Sequence, residues 1–328
     1  MRLEWLSTVR GLCILLVVMF HVQLVDMSTG ENHEICRLLA LPFNQIRIPL
    51  FIFTSGSLLY LSRISKNWSV GRLYVDKFQR IVIPFLFFVV VYYGIKWLMH
   101  PFVKTPVVLS WSDFLQSFYL FEGHASAPLW FLATLSVLML LYPMFRVVLR
   151  SHVASLLFLI FSVVIYFIDF WSLLPENYFY ILKLNHYLVF FYSGILFFRY
   201  RCYDYTGRWW VLLSAVAVYA LLFYFEVPVA VSLVGIVMLF SLSQLVCEHV
   251  SGLFSSFRDY IYQIYLMSFF FQGIVELLLW RRLCYSENLF WAFYLLNILF
   301  GLYGPVIVLK LVERCPLRIV KMMFGLKA

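Results

Sequence analysis

Ten apolar segments of 17–24 residues recur along the chain, separated by polar or charged connections of 3–29 residues. A helix needs about 20 apolar residues to cross the hydrocarbon core of a bilayer, so these segments have the length of membrane spans. The residues are 64% hydrophobic and only 12% charged, far from the balance of a water-soluble fold. The ten segments are residues 5–26, 46–62, 78–99, 129–149, 153–173, 180–198, 209–225, 229–246, 260–280 and 289–312.

This pattern predicts an all-α, polytopic membrane protein of about ten transmembrane helices, with residues 1–328 forming a single integral-membrane domain. The first segment follows Arg2 as in a signal peptide, but lacks a small-residue cleavage site, so we expect it to be retained. The seventh and eighth segments are separated only by Glu226-Val-Pro228, which predicts a tight hairpin because proline cannot continue a helix.

The distribution of positive charge predicts an orientation. If the N-terminus is cytoplasmic, 17 of the 25 Lys and Arg residues fall in cytoplasmic segments and 6 in outer ones, with Arg10 and Lys96 inside helices. Cytoplasmic loops carry the excess of basic residues, so both termini are predicted to be cytoplasmic. The net charge of +9 is explained by this asymmetry, and no nucleic-acid partner is expected.

Several other classes of site have no support in the sequence. The six cysteines show no metal-ligand spacing, so neither a metal site nor a disulfide is expected. Phosphate-binding loops and Ser-His-Asp or H-E-x-x-H motifs are absent from the sequence. The two halves show no strong match, which disfavours transporter folds built from repeats.

Two ionisable residues lie inside the first segment, within VRGLCILLVVMFHVQL. Arg10 and His21 are eleven residues apart, which brings them to within about 20° of the same helix face and about 16 Å apart along the axis. An intramembrane arginine costs at least about 2.5–3.5 kcal/mol and should face the interior. Together they predict a polar conduit. Each residue also has an alternative interpretation when taken alone. The Arg10 side chain would extend to the inner lipid headgroups, and His21 would be a neutral, hydrogen-bonded histidine in the protein interior.

A basic pair precedes the third segment, in YVDKFQRIVIPF. Lys77 and Arg80 are three residues apart and share a face at the cytoplasmic entry, with Pro84 one turn later. Two cations on one face suit a multiply anionic ligand arriving from the cytoplasm. The alternative is a plain anchor of the positive-inside type. The small residues of Thr54-Ser55-Gly56-Ser57 favour close helix packing, and Trp130 is typical of an interfacial aromatic belt.

Five segments in order resemble the acyltransferase 3 family, the integral-membrane O-acyltransferases of bacteria. VRGLCILLVVMFHV resembles its first-helix signature, an arginine and a histidine with ten residues between them. RIPLFIFTSGSLL, KFQRIVIP, PLWFLATLSVLMLLYP and DYIYQIYLMSFF resemble its later segments, so that the resemblance covers residues 2 to about 270. The ten-helix core of the family agrees with the number of apolar segments.

The resemblance implies transfer of an acyl group, usually acetyl, from cytoplasmic acyl-CoA to a hydroxyl of a cell-envelope saccharide at the bacterial inner membrane. His21 matches the family's essential histidine and would act as general base or as acyl relay. Arg10 would hold the donor, and Lys77 and Arg80 would bind the CoA phosphates. The implied partners are acyl-CoA, membrane lipid and a glycan or lipid-linked sugar acceptor.

The sequence departs from the family pattern at three places. Lys77 stands where the basic pair usually begins with arginine, Ser268 where a histidine is frequent, and Ser7 where many members have an acidic residue, with Glu4 one turn earlier. A transporter or flippase of a lipid-linked or anionic saccharide remains the alternative from another class, since it would also place charge inside the membrane. A non-catalytic membrane scaffold is the third possibility.

Overall fold

The computed structural model describes residues 4–26, 29–99, 110–168, 170, 176–250, 252–283 and 287–326. These residues are predominantly helical, and their only β pairing is an isolated bridge between Val25 and Asn32. The all-α prediction is therefore confirmed. The α-helices are α1 (Glu4–Phe20), α2 (Glu34–Ala40), α3 (Arg47–Leu59), α4 (Val70–Lys77), α5 (Ile83–Leu98), α6 (Trp111–Gln116), α7 (Trp130–Leu140), α8 (Tyr142–Val148), α9 (His152–Tyr166), α10 (Leu184–Arg199), α11 (Tyr203–Thr206), α12 (Trp209–Tyr224), α13 (Pro228–His249), α14 (Ile261–Ile274), α15 (Arg281–Leu283), α16 (Phe290–Glu313) and α17 (Arg318–Met323).

Each of the ten predicted segments contains helix. Within the described residues, six continuous helical stretches are long and apolar enough to cross a membrane, and α7 with α8, bent by 46°, makes a seventh. The helices α1, α9 and α12 are shorter, with 17, 15 and 16 residues. A multi-pass membrane protein is thus supported, while the number of ten spans and the cytoplasmic termini stay predictions. The six stretches are Glu34–Ile64, Val70–Leu98, Tyr178–Arg199, Pro228–His249, Ile261–Trp280 and Phe290–Glu313.

The chain divides into two compact units, of which the first contains residues 1–55 and 196–311. In this unit α12 and α13 pack along each other, and α1 packs against α13 and α14. The predicted hairpin is confirmed, since α12 ends at Tyr224 and α13 begins at Pro228, with Glu226 at a φ of 53° between them. The apolar core around α1 consists of Ile14, Val17, Val18, Phe257, Ile261, Ile264, Leu302 and Val306.

The first helix is shorter than the predicted span 5–26, because α1 ends at Phe20. The backbone that follows finds partners outside a helix: Asn32 accepts from the Leu24 amide at 2.9 Å and donates to the Val22 carbonyl at 3.2 Å. The Trp280 indole donates to the Val25 carbonyl at 2.8 Å. Since these side chains satisfy the backbone polar groups, continuing the helix offers no advantage. His21 therefore lies at a helix end.

The second unit contains residues 56–195 and 312–328. Here α4 continues into α5 through a π-helical turn at Phe78–Val82, and α17 packs against α5. A Cβ atom at Gly56 would overlap the Phe191 carbonyl oxygen, and the Ser57 hydroxyl donates to the Gly194 carbonyl at 3.1 Å. These contacts support the prediction of close helix packing at this small-residue segment.

The connection between the third and fourth predicted segments, residues 100–128, is described from residue 110 onward. It is organised around Asp113, whose Oδ1 lies 2.8 Å from Nδ1 of His124. The Lys96 ammonium donates to the His124 carbonyl at 3.3 Å, and the Ser110 hydroxyl accepts from the Asp113 amide at 3.0 Å. These bonds fasten the connection to the end of α5.

The cysteines agree with the sequence prediction where the structure describes them. Cys13, Cys36, Cys202, Cys247 and Cys315 form no disulfide, and Cys284 lies outside the described residues. Among the described residues there is no group of three or more His, Cys, Asp and Glu side chains that could hold a metal ion.

Candidate active site

His21 follows the last residue of α1 and closes the helix with both its backbone and its ring. Its amide donates to the carbonyls of Val17 and Val18, and its ring Nδ1 lies 2.7 Å from the Val17 carbonyl oxygen. A carbonyl oxygen only accepts, so Nδ1 carries the proton in this bond. In the neutral imidazole, Nε2 then keeps its lone pair. This is the tautomer that a general base or a nucleophilic relay needs.

Arg47 and Phe20 are the neighbours of His21. The Phe20 ring meets the His21 imidazole edge-on, with 5.5 Å between the ring centroids. The Arg47 guanidinium lies over the Phe20 ring. The Arg47 charge also acts on His21 electrostatically. Because Arg47 begins α3, its cation stands at the positive end of that helix dipole, an unfavourable place. Sequence reasoning missed Arg47 as a site residue; the signal was a basic residue at the entry of an apolar segment.

A glutamine from α14 supports the end of α1. Gln272 is 3% exposed and donates from Nε2 to the Val18 carbonyl at 2.9 Å, one of the two carbonyls that also accept from the His21 amide. A Cβ atom at Gly301 would come within 2.8 Å of Val18 and 2.9 Å of Gln272, so only glycine allows α16 this close. Ser268, at the position where the resemblance suggested a histidine, is buried one turn before Gln272. The polar group that reaches α1 is therefore the glutamine.

Arg10 lies in the second turn of α1 and is partly buried. Its charge acts on the Cys13 thiol, which is also hydrogen-bonded to Thr54 of α3. Between Arg10 and His21 the same helix face carries Ile14 and Val17, which are 0% and 2% exposed inside the apolar core. The expected polar conduit is thus wrong for this face of α1, because packed aliphatic side chains occupy the two intervening turns.

The acidic residue that many family members carry before the arginine has a different counterpart here. Glu4 forms an ion pair with Arg258, with 3.2 Å between Oε2 and Nη2. Arg258 is 7% exposed and also donates to the Leu253 carbonyl. Ser7, at the family position, is buried. Glu4 consequently fastens the start of α1 to the turn that precedes α14.

The predicted basic pair lies in the second unit and belongs to a larger cluster. Asp76 binds two arginines at once, with 3.1 Å to Arg63 and 3.1 Å to Arg80. Lys77 follows Asp76 in the sequence and interacts electrostatically with Asp76, Arg63 and Arg80. One carboxylate among these three cations leaves an excess of positive charge, which favours an anionic ligand. The structure therefore brings Lys77 and Arg80 together and adds Arg63.

Trp68 extends this basic cluster. The guanidinium groups of Arg63 and Arg72 lie over the indole, 3.7 and 4.1 Å from its ring centroid. The Trp68 carbonyl accepts from the Tyr142 hydroxyl at 2.8 Å and from Arg146 at 3.2 Å. Cation–π contacts and these bonds hold three arginine side chains around one anchored indole. We call Arg63, Trp68, Arg72, Lys77, Arg80 and Arg146 the basic cluster.

Two of the helical stretches that carry the basic cluster contain a π-helical turn. One covers Tyr60–Ile64 and includes Arg63, and the other covers Phe78–Val82 and includes Arg80. A π-turn is rare and occurs frequently at functional sites, because it displaces a side chain from its ordinary helical direction. Pro84 is the sequence feature that indicates this irregularity, because proline removes a backbone hydrogen bond of the helix after Arg80.

Comparison with known proteins gives one match. The family model Acyl_transf_3, described as an acyltransferase domain, matches residues 3–310, nearly the whole chain. Searches among curated proteins and among solved structures gave no match.

Proposed function

The chain belongs to the acyltransferase 3 family, and we propose that it is a membrane O-acyltransferase moving an acetyl group from cytoplasmic acetyl-CoA to a hydroxyl of a cell-envelope saccharide. Membership and the apolar helices make it a membrane acyltransferase. The observation that carries the proposal is the His21 imidazole, held by its Nδ1–H so that Nε2 is basic. The bacterial inner membrane is the proposed location, because cytoplasmic donor and envelope acceptor meet there.

In this mechanism Nε2 of His21 takes the proton of the acceptor hydroxyl as the hydroxyl oxygen attacks the thioester carbonyl. The tetrahedral adduct then collapses, the carbon–sulfur bond breaks, and Nε2–H returns the proton to the CoA thiolate. General acid–base catalysis of this kind contributes about 10²–10⁴-fold. In the alternative role Nε2 attacks the thioester carbonyl, the carbon–sulfur bond breaks and CoA leaves as its thiolate. The acceptor oxygen then displaces Nε2 from the acyl group, and the hydroxyl proton neutralises the thiolate. Trapping of an acylated protein therefore distinguishes the two roles.

Arg47 suits the charge that develops in either route. The adduct carries a negative oxygen, and a cation whose charge acts on His21 would stabilise it. The contact of Arg47 with Phe20, whose ring meets His21, supports this role. Arg10, further along α1 and partly buried, is proposed to hold the donor.

The basic cluster is proposed to bind the phosphates of CoA. Guanidinium groups form paired hydrogen bonds with phosphate oxygens, and Lys77 adds a point charge. Asp76 takes part of the hydrogen-bonding capacity of Arg63 and Arg80, which orients both guanidinium groups. The ligand class is therefore a phosphorylated acyl carrier, with no metal required for the proposed chemistry.

The central experiment is His21→Ala in detergent-purified full-length protein, measured by acetyl-CoA consumption and by acetyl transfer to envelope glycan. We expect a loss of at least about 10²-fold with unchanged monodispersity. His249→Ala is the matched control, because His249 makes the same contact at a helix end, with Nδ1 3.0 Å from the Leu245 carbonyl. Full transfer by the His21 variant would exclude the mechanism.

The rival function, a transporter or flippase of a lipid-linked or anionic saccharide, predicts a different result. Reconstituted protein would move the saccharide across the vesicle membrane without consuming acetyl-CoA. Neither the wild type nor His21→Ala would then transfer an acetyl group. Mass spectrometry of envelope glycans with and without the protein provides the complementary test, since an acyltransferase adds a mass to the acceptor.

A further inference from the structure

An aromatic surface lies in the second unit, where the chain enters α10. Tyr119 and Tyr178 stack with 5.9 Å between their ring centroids, at 29° between the ring planes. Trp130 contacts two further rings, Tyr180 at 5.2 Å and Tyr187 at 5.7 Å. We call these five rings the aromatic surface. Tyr178 is 41% exposed, and the other four aromatic residues are partly exposed, so part of each side chain is accessible.

The backbone is strained to place these rings. Phe179 and Tyr180, two consecutive aromatic residues, have φ values of 53° and 57°. Bulky residues rarely adopt this left-handed conformation, because the side chain crowds the backbone there. Two hydrogen bonds hold the segment: the Phe179 amide donates to the Tyr119 carbonyl at 2.8 Å, and Asn177 accepts from the Leu182 amide at 3.0 Å. Strain maintained in this way is typical of a ligand site.

Carboxylates flank the aromatic surface. The Tyr180 hydroxyl donates to Glu122 at 3.0 Å, and the Tyr178 hydroxyl is hydrogen-bonded to Glu176. Both glutamates are exposed, so each keeps acceptor capacity for a further donor. Lys183, at the end of the same segment, is partly buried and has contacts of its own. Partly exposed aromatic side chains next to hydrogen-bond acceptors therefore define the chemistry of the surface.

We propose that the aromatic surface binds neutral hexose units of a saccharide, as a subsite for the acceptor chain. A pyranose ring has an apolar C–H face that packs on an aromatic ring, and hydroxyls at its edge that donate to carboxylates. The identification of this saccharide as the acceptor rests on the proposed function; the binding itself does not.

Charge favours a neutral saccharide over the main alternative, the headgroups of a lipid bilayer. Glu122 and Glu176 repel phosphate groups, whereas they complement hydroxyl donors. An interfacial aromatic belt requires only that each ring reach the headgroup level. It explains neither the stacking of Tyr119 on Tyr178 nor the strained backbone at Tyr180.

The test uses full-length protein in detergent with three neutral hexasaccharides, maltohexaose, cellohexaose and mannohexaose, and with hexagalacturonate as the anionic comparator. Saturation-transfer NMR detects contact of the sugar C–H groups, and tryptophan fluorescence gives affinity. We expect at least one neutral hexasaccharide to bind, and Tyr178→Ala to weaken it about two- to tenfold. Glu122→Gln tests the acceptor role without removing a ring and should weaken binding too.

Tyr224→Ala is the control, since Tyr224 is 80% exposed and lies at the end of α12, in the other unit. The proposal is overturned if no neutral hexasaccharide binds, if only hexagalacturonate binds, or if the control loses as much affinity as Tyr178→Ala. It is also overturned if Tyr178→Ala lowers only the thermal stability in anionic-lipid nanodiscs, because the surface would then be a membrane anchor.

The inference and the proposed function fail separately. Saccharide binding retained by wild type and by His21→Ala, in a protein that never consumes acetyl-CoA, would reject the acyltransferase mechanism and leave the subsite standing. Acetyl-CoA consumption that depends on His21, with no binding of any neutral saccharide, would reject the subsite alone.

Discussion

Gln272 donates a hydrogen bond to the Val18 carbonyl at 2.9 Å, joining the end of α1 to a helix 254 residues away in the chain. Val18 also accepts from the His21 amide, so the glutamine and the histidine share one backbone group. The position of the His21 imidazole therefore depends on α14 as well as on α1. Gln272, which transfers no proton in the proposed reaction, therefore helps to position the His21 imidazole.

Gln272→Ala should lower kcat for acetyl transfer about tenfold while leaving the KM for acetyl-CoA unchanged, because the end of α1 loses a buried partner. Steady-state kinetics on purified protein measures both constants. Gln244→Ala is the control, since it removes a bond of the same kind, to the Tyr203 carbonyl at 2.9 Å, elsewhere in the unit. An equal effect of both variants would show that the loss is one of general stability.

Arg47→Gln should reduce kcat about 10²-fold, since it removes the cation proposed to stabilise the tetrahedral adduct. Arg47→Lys should recover part of the rate, because it keeps the charge and loses the planar fork. Arg37→Gln removes an exposed arginine that pairs with Glu34 on the same helix and should have no effect. If Arg47→Gln raises KM and leaves kcat unchanged, the arginine binds substrate instead.

Lys77→Ala combined with Arg80→Ala should weaken acetyl-CoA binding about 10- to 100-fold, since charge-assisted contacts contribute about 1.5–3 kcal/mol. Isothermal titration at two salt concentrations checks this, and the salt dependence should decrease in the variant. Arg199→Ala with Arg201→Ala removes the same charge from another basic segment. Unchanged affinity in the first pair would reject the basic cluster as the donor site.

Asp76→Asn should act in the opposite direction on binding. Losing the carboxylate that Arg63 and Arg80 share raises the net positive charge, so affinity for acetyl-CoA should increase. Thermal stability should fall, because Arg63 is 15% exposed in its side chain and loses its ion-pair partner. Scanning fluorimetry and titration on one preparation separate these effects; weaker binding would contradict the expectation.

Gly56→Ala should destabilise the protein, by about 1–3 kcal/mol if the packing cannot relax, because the new methyl group meets the backbone carbonyl of Phe191. Scanning fluorimetry should show a lower midpoint temperature. Gly94→Ala is the matched control, also a helical glycine, with nothing within 4 Å of its Cβ position. A midpoint unchanged in both variants would mean that the helices separate at no cost.

The sequence by itself determined the class of structure and indicated the candidate site residues. Apolar segments of membrane length leave few alternatives to helices, because backbone polar groups in lipid must be satisfied within each segment. The spacing of Arg10 and His21 placed them on one face, and Lys77 with Arg80 marked a cationic site. These conclusions follow from local periodicity and charge, which are properties of the chain.

The tertiary structure decided where those residues stand. Asn32 and Trp280 bond to the backbone that follows α1, so the helix ends early and His21 lies at its end. Ile14 and Val17 occupy the helix face on which the residue spacing predicted a polar conduit. Arg47, Gln272 and Trp68 entered only through contacts between distant segments. Periodicity reports the direction of a side chain, whereas its partners depend on which helices pack together and on which polar groups they leave to be satisfied.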